Sequence, residues 1–442
     1  MKRKIWTAIL TGVLCLSMLA ACGKQDSKEQ SGKEVTESSS GDVTIRVMSC
    51  GAGTWDTAFP KMMEEYEKQN PGIHVEVEFY QQEQLFEAIE VVLGSKSDEF
   101  DIIMVDVPMV AGYANRGYLL PLDDYFTEDE KNEYVDSARN AGTWDGKFYA
   151  PAMNNSAQLL WYNTAYLKEA GFEIPSGRLD KRLSFEEVLD MAEKTQKVVD
   201  PDGTKGVAGF MLEQVSRAYQ VLELPNSMGA PSIGEDGLNV EGVIDSAEWI
   251  QAMNVYRNLF ETGVSTRGTT NDETGDNFLA GKIVFMIAGT WTDANAKEAG
   301  FSDYGYALCP YFEGHEDQVG TPTGSWHCGV SSYSSHPKEA ADFIKYFTLG
   351  EGTSWVDEVG DVPATKAGVN KILTEGTDDV MKLAAYEAEN TAVARPVTPA
   401  YTEYETAMNT MFEDIRNGAP VESSIQNTIT QLNTAFAKYK EN

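Results

Sequence analysis

The sequence predicts an α/β protein folded as two lobes. Three observations carry that prediction. Strands alternate with helices from Val43 to Val105, which is the pattern of a mostly parallel sheet. About four hundred residues remain once a non-globular front end is set aside, more than one simple core accommodates. Between Gly146 and Asn163 an apolar, aromatic run is broken by Pro151, Asn154, Asn155 and Ser156, which a lone core strand seldom tolerates.

The front end explains itself first. Met1-Lys2-Arg3-Lys4 precedes an apolar run from Ile5 to Ala21, so residues 1–21 read as a secretory signal, too short for a comfortable membrane span. Leu19-Ala20-Ala21-Cys22 resembles a bacterial lipobox, which implies cleavage before Cys22 and acylation there. The protein is then a palmitate-type lipoprotein on the extracytoplasmic face of the cell membrane, touching the bilayer through its lipid anchor only. Residues 22–41, the lipidated cysteine and a Ser, Glu, Lys, Gln and Gly tract, have too little to bury and read as a flexible tether.

A formal charge of −34 argues against nucleic acid and anionic membrane surfaces as partners. Without Cys15 and Cys22, three cysteines remain: Cys50, Cys309 and Cys328. Buried thiols are the default, with a Cys309–Cys328 bridge left open. The few histidines show no metal spacing, and Asp200 to Thr204 lacks the later acids of a calcium loop, so neither metal nor cofactor is expected.

In chain order, Val43 to Met48 alternates as a strand and breaks into Ser49 to Asp56. Phe59, Met62, Met63 and Tyr66 then stripe a helix that stops at Asn70-Pro71-Gly72. His74 to Tyr80 is a second strand, Leu85 to Leu93 a second helix, and Phe100 to Val105 a strand apolar on both faces. Parallel sheets bind ligands in loops at the carboxyl ends of their strands; here those loops hold Gly51 to Asp56 and Asp106 to Met109.

The run 146–163 is read as a crossover that leaves one lobe at Pro151, passes a cleft wall at Asn155 and Ser156, and joins a second lobe at Leu159. Ser184 to Glu187 forms a capping box, and Trp249 to Phe260 stripes a core helix. The strand Ile283 to Ile287 runs into Ala288-Gly289-Thr290-Trp291, where a tryptophan opens a helix rather than filling a core. A second break, Gly320 to Trp326, precedes the helix Pro337 to Thr348, and a third is Gly360 to Pro363. Helices from Tyr404 to Ile415 and Ile425 to Tyr439 finish the chain.

The lipobox and tether, Phe100 to Val105 leading to Gly117-Tyr118-Leu119-Leu120-Pro121-Leu122, Trp161-Tyr162-Asn163, Phe278 to Trp291, and Gly324-Ser325-Trp326 before Pro337 to Thr348 together resemble the family 1 extracellular solute-binding proteins. These are the maltose-binding-like receptors of ATP-binding cassette sugar importers. The resemblance implies a type II periplasmic-binding-protein-like fold with a ligand cleft between two α/β lobes and three hinge crossings. It places 42–155 plus 322–352 in the N-terminal lobe and 156–321 plus 353–442 in the C-terminal lobe. It also implies a monomer that takes a carbohydrate, an oligosaccharide, from solution to an ABC transporter permease, and no catalysis.

Sugars present hydroxyls around the ring and apolar C–H faces above and below it. A site for them needs flat aromatics and planar amides or carboxylates, since polar groups left unpaired on closure cost about 1–3 kcal/mol each. Trp55, Trp291 and Trp326 are the candidate platforms; Asp56, Asp106, Asn154, Asn155, Ser156 and Asp361 are the candidate polar contacts. In the family the position matching Trp291 stacks on sugar. Ser156 replaces the carboxylate of the maltose-binding relative, a departure that argues against maltodextrin itself. Arg395, ahead of Pro396 and Pro399, is within reach of the cleft but is expected in a solvent salt bridge, and Trp161 and Tyr162 in the second lobe's packing. The rival readings are a lipid-anchored extracellular carbohydrate-active enzyme, such as a glycosidase, and an adhesin or receptor for a non-sugar solute.

Overall fold

The computed structural model describes residues 42–51 and 55–440; the expectations for the signal, Cys22 and the tether lie outside them. Two four-stranded sheets organise the chain. In the first, the strands Val43–Cys50, Ile73–Tyr80 and Ile102–Asp106 run parallel. Each is separated by a helix, Trp55–Gln69 or Gln82–Gly94, because a parallel return needs a crossover. A fourth strand, Trp326–Val330, lies antiparallel beside Ile102–Asp106, with Trp326 opposite Asp106. That register delivers Trp326 to the carboxyl ends of the three parallel strands.

The second sheet departs from the mostly parallel expectation. Ala208–Leu212 runs parallel to Ile283–Gly289, but Gln158–Asn163 is antiparallel to both Ile283–Gly289 and Tyr304–Ala307. The reason lies in the connection: Gln158–Asn163 arrives from the other sheet rather than from a crossover helix. Its register sets Gln158 opposite Gly289, so the residues just before Gln158 and just after Gly289 share one end of the sheet with Glu213, which follows Leu212.

Each sheet has its own core. Ile45, Phe59, Ile103, Phe343 and Trp355 belong to one; Leu159, Trp161, Phe210, Trp249 and Phe285 belong to the other. The crossover falls where the polar interruption predicted it. Ala150, Ala152, Met153 and Ala157 pack in the first core and Leu159 to Tyr162 in the second. Trp161 and Tyr162 are buried there as expected.

Other strands of chain bind this crossing. Met153 N donates to Trp326 O (2.8 Å) and Asn155 N to Val362 O (2.7 Å), and beside it Thr323 N donates to Val393 O (2.9 Å). Backbone donors that a core would leave orphaned are thus paired between segments.

The partition drawn at 353 does not follow the packing. Trp355, Val356, Val362, Ala364 and Val369 lie in the first core, and the helix Asp379–Asn390 contributes Leu383 to the second and Ala384, Ala385 and Ala388 to the first. Trp355 is drawn there by Trp55 and Phe59, whose rings lie 5.2 and 5.0 Å from it. Cys309 and Cys328 are buried thiols in different cores and do not bridge. Ser184 caps its helix as predicted, its hydroxyl accepting from Glu187 N while the Glu187 carboxylate accepts from Ser184 N.

Candidate functional site

Trp291 opens the helix Trp291–Ala299 directly after a strand end. Its indole N–H donates to Glu213 Oε1 at 2.9 Å, and Gln220 Nε2 donates to Glu213 Oε2 at 3.1 Å. Burial pushes the Glu213 carboxyl pKa upward, against the pull of these two donors. Gly289 lies under the ring, and a Cβ there would run into the six-membered ring of Trp291. With one edge tethered and no room to settle toward the strand, Trp291 is a rigid blade rather than a swinging side chain.

The blade borders a hollow of about 670 Å³ that Trp55, Trp326, Asn154, Ser156 and Asp361 also line. Asn154 ties the wall together: its Nδ2 donates to Asp361 Oδ2 (2.9 Å) and its Oδ1 accepts from Trp326 N (2.8 Å). Asp361 also accepts from the Trp55 side chain, and burial pushes its pKa up to about 6. Ser156 Oγ accepts from Gly324 N (3.0 Å) and sits 3.1 Å from the Tyr219 hydroxyl. Gly324 makes this approach feasible, since a Cβ would meet that hydroxyl. Trp55 is almost buried, packed against Phe59 and edge-to-face with Trp355, so it offers the hollow an edge of wall and not an open plate. Trp326 is half-buried and stacks on Phe86.

A second hollow, about 500 Å³, shares Trp291, Gly324 and Trp326 with the first and adds Asp106, Tyr219, Arg395 and Glu405. Here the expectation for Arg395 is corrected. It is not in solvent: its Nη2 donates to Asp106 Oδ1 at 2.5 Å, with side chains only 10% and 17% exposed, and its guanidinium covers the Tyr219 ring at 4.9 Å. The strand pairing of Ala392–Val393 with Thr321–Pro322 carries the next residues into the cleft. Burial opposes the Arg395 charge, but Asp106 more than offsets it and the guanidinium pKa is raised.

Of the sequence-predicted contacts, Trp55, Trp291, Trp326, Asn154, Ser156 and Asp361 meet in one hollow, and Asp106 in the adjoining one. Asp56 is exposed in the first turn of its helix and lines neither. Asn155 is buried at the crossing, where its backbone pairs with Val362, and its side chain lines neither hollow.

Glu213, Tyr219, Phe86 and Asn295 were missed. Glu213 had a readable signal, the carboxyl end of a parallel strand; Tyr219, in the four-residue helix Ala218–Val221, had none. Of the cations among the lining residues, Lys297 pairs with Asp293 at 2.6 Å and Arg395 with Asp106, while Arg217 stands exposed on the second hollow within electrostatic reach of Glu405.

Two α/β lobes around a cleft, walled by a rigid indole and a cross-braced set of amides and acids, define a solute-capturing receptor. The chain belongs to the bacterial extracellular solute-binding proteins, whose family profile matches residues 52–354. It is 23% identical to the maltodextrin-binding protein MdxE of Bacillus subtilis over 98% of this chain and 96% of that one. It is also 25% identical to a probable ABC transporter-binding protein of Deinococcus radiodurans, over 71% and 73% respectively. The crystal structure of a cyclic α-maltosyl-1,6-maltose binding protein from Arthrobacter globiformis superposes with a TM-score of 0.78 at 20% identity, covering 90% of this chain and all of that one. That likeness is one of fold.

Proposed function

We propose that this receptor captures a neutral carbohydrate, an oligosaccharide, outside the cell and presents it unaltered to the permease of an ABC transporter. The observation that carries the proposal is the Trp291 blade facing Asn154, Ser156 and Asp361 across one hollow of about 670 Å³. That volume lies within the usual range for small-molecule sites. Internal pairing of Lys297 and Arg395 supports a ligand without net charge, and the sugar specificities named for the relatives are consistent with it.

In this reading the contacts are Trp291, Trp326 and an edge of Trp55, with Asn154, Ser156, Asp361 and Asp106 on the hydroxyls. Two hinge crossings lie at residues 150–158 and 321–325; residues 355–369 move with the N-terminal lobe, which puts the third crossing beyond them, where Ala392–Val393 pairs with Thr321–Pro322. Ligand touching both lobes shifts them toward closure. The protein acts as a monomer without catalysis, held at the membrane through acylated Cys22; a Cys22→Ala chain released into the medium checks the anchor.

The deciding experiment is a melting-temperature screen of the purified chain against mono- and oligosaccharides, with product analysis. Ligand at a hundred times its Kd adds about 2.7 kcal/mol of stability. A saturable shift without product supports the receptor. Turnover would make it an enzyme, and shifts confined to charged non-sugar solutes would retire the carbohydrate.

A further inference from the structure

Three hollows, not two, meet at Trp291. The third, about 240 Å³, opens between Trp291 and the helix Asn271–Leu279 and is walled by Glu213, Arg217, Asn271, Gly275, Thr292 and Asn295. It shares Gln214 and Arg217 with the 500 Å³ hollow and Asn295 with the 670 Å³ hollow; among the described residues Trp291 alone is common to all three. A linear chain of sugars running along the cleft would use two of these arms and leave the third unused.

The third arm has the marks of a kept space. Gly275 sits in the middle of its helix, a position where glycine costs about 1 kcal/mol relative to alanine. A Cβ on Gly275 would lie 3.4 Å from Glu213 Oε1, so any longer side chain would fill the hollow. On the same wall Thr292 is buried, its Oγ1 without a hydrogen-bond partner among the described residues. Glu213 and Asn271 add buried or half-buried acceptors and donors. The arm is polar, and small beside the other two.

We propose that the ligand is a branched oligosaccharide whose branch-point unit lies on Trp291, with a short neutral side substituent entering the third hollow. This rests on the carbohydrate reading of the cleft. The two larger arms take the main chain, and Glu213, already fixed by Trp291 and Gln220, reads a hydroxyl of the branch.

Calorimetric titration of the mature chain with isomeric tetrasaccharides, linear and singly branched, in gluco, manno and galacto series tests this. In at least one series the branched isomer binds about tenfold tighter or more, a difference of about 1.4 kcal/mol. Gly275→Leu, or Gly275→Met should the leucine variant fail to fold or shift the tryptophan emission that reports the Trp291–Glu213 bond, abolishes the preference while the linear isomer keeps its affinity. Equal affinity for both isomers in every series that binds, or a Gly275 variant that weakens both alike, overturns the branch and leaves the carbohydrate reading standing. Binding of no saccharide at all overturns both.

Discussion

Arg395 and Asp106 meet across the cleft: Nη2 of one lies 2.5 Å from Oδ1 of the other. Arg395 follows the short strand Ala392–Val393 by two residues, and Asp106 ends a first-sheet strand. Because the pair is largely withdrawn from water, neither charge is left to select an ionic ligand, while both stay in place to shape the second hollow.

Removing one partner strands the other. Arg395→Ala or Asp106→Ala is expected to lower stability by about 3–5 kcal/mol, the usual result of leaving a buried charge uncompensated. The double variant should cost less than the two single changes summed. Urea unfolding of the three variants checks this; a loss below about 1 kcal/mol for each single change would place the pair effectively in solvent.

Trp291→Ala removes the surface common to all three hollows without touching either core. Ligand affinity should fall at least tenfold, about 1.4 kcal/mol, with the melting temperature of the ligand-free protein nearly unchanged. Titration calorimetry on the best sugar from the screen reads the first and calorimetric melting the second.

Gly289→Ala tests whether the blade's position matters as much as its presence. The added methyl collides with the Trp291 ring, so the indole must leave Glu213. A shifted tryptophan emission together with a several-fold loss of affinity is expected, and unaltered emission and binding would show that the ring has room to spare.

Glu223 is fully buried in the second lobe. Burial first, and then the Glu387 carboxylate, push its pKa up to about 8, against the pull of Cys309 and Arg182. A carboxyl raised on folding holds its proton longer in the native state than in the unfolded one, so stability falls as pH rises from about 4.5 through 8. Glu223→Gln, which cannot ionise, should therefore melt above the native protein at pH 9 and close to it at pH 5. Parallel melting curves at the two pH values decide it.

Much of this architecture was legible from local pattern. The stripe Phe59, Met62, Met63 and Tyr66, the Ser184 capping box and the apolar strand Ile102–Val105 each obey a short-range rule that tertiary packing did not overrule. The crossover was legible because a proline and three polar residues contradict burial, and Trp291 because a large aromatic at a helix start has no core to fill. Asp56 misled because its type suited a sugar while its place on the helix turned it to water.

By itself, then, the order of residues determined the alternation of strands and helices, the place where the chain passes between lobes, and the three tryptophans of the cleft; these depend on neighbours a few positions away. Only the folded chain decided that Arg395 turns inward onto Asp106 and Tyr219, that Trp355 joins the first core, and that Glu213 braces Trp291. Those pairings join residues 289, 300 and 78 positions apart, and charge burial and ring packing over such separations are set by sheet register and hinge crossing, which no local periodicity encodes.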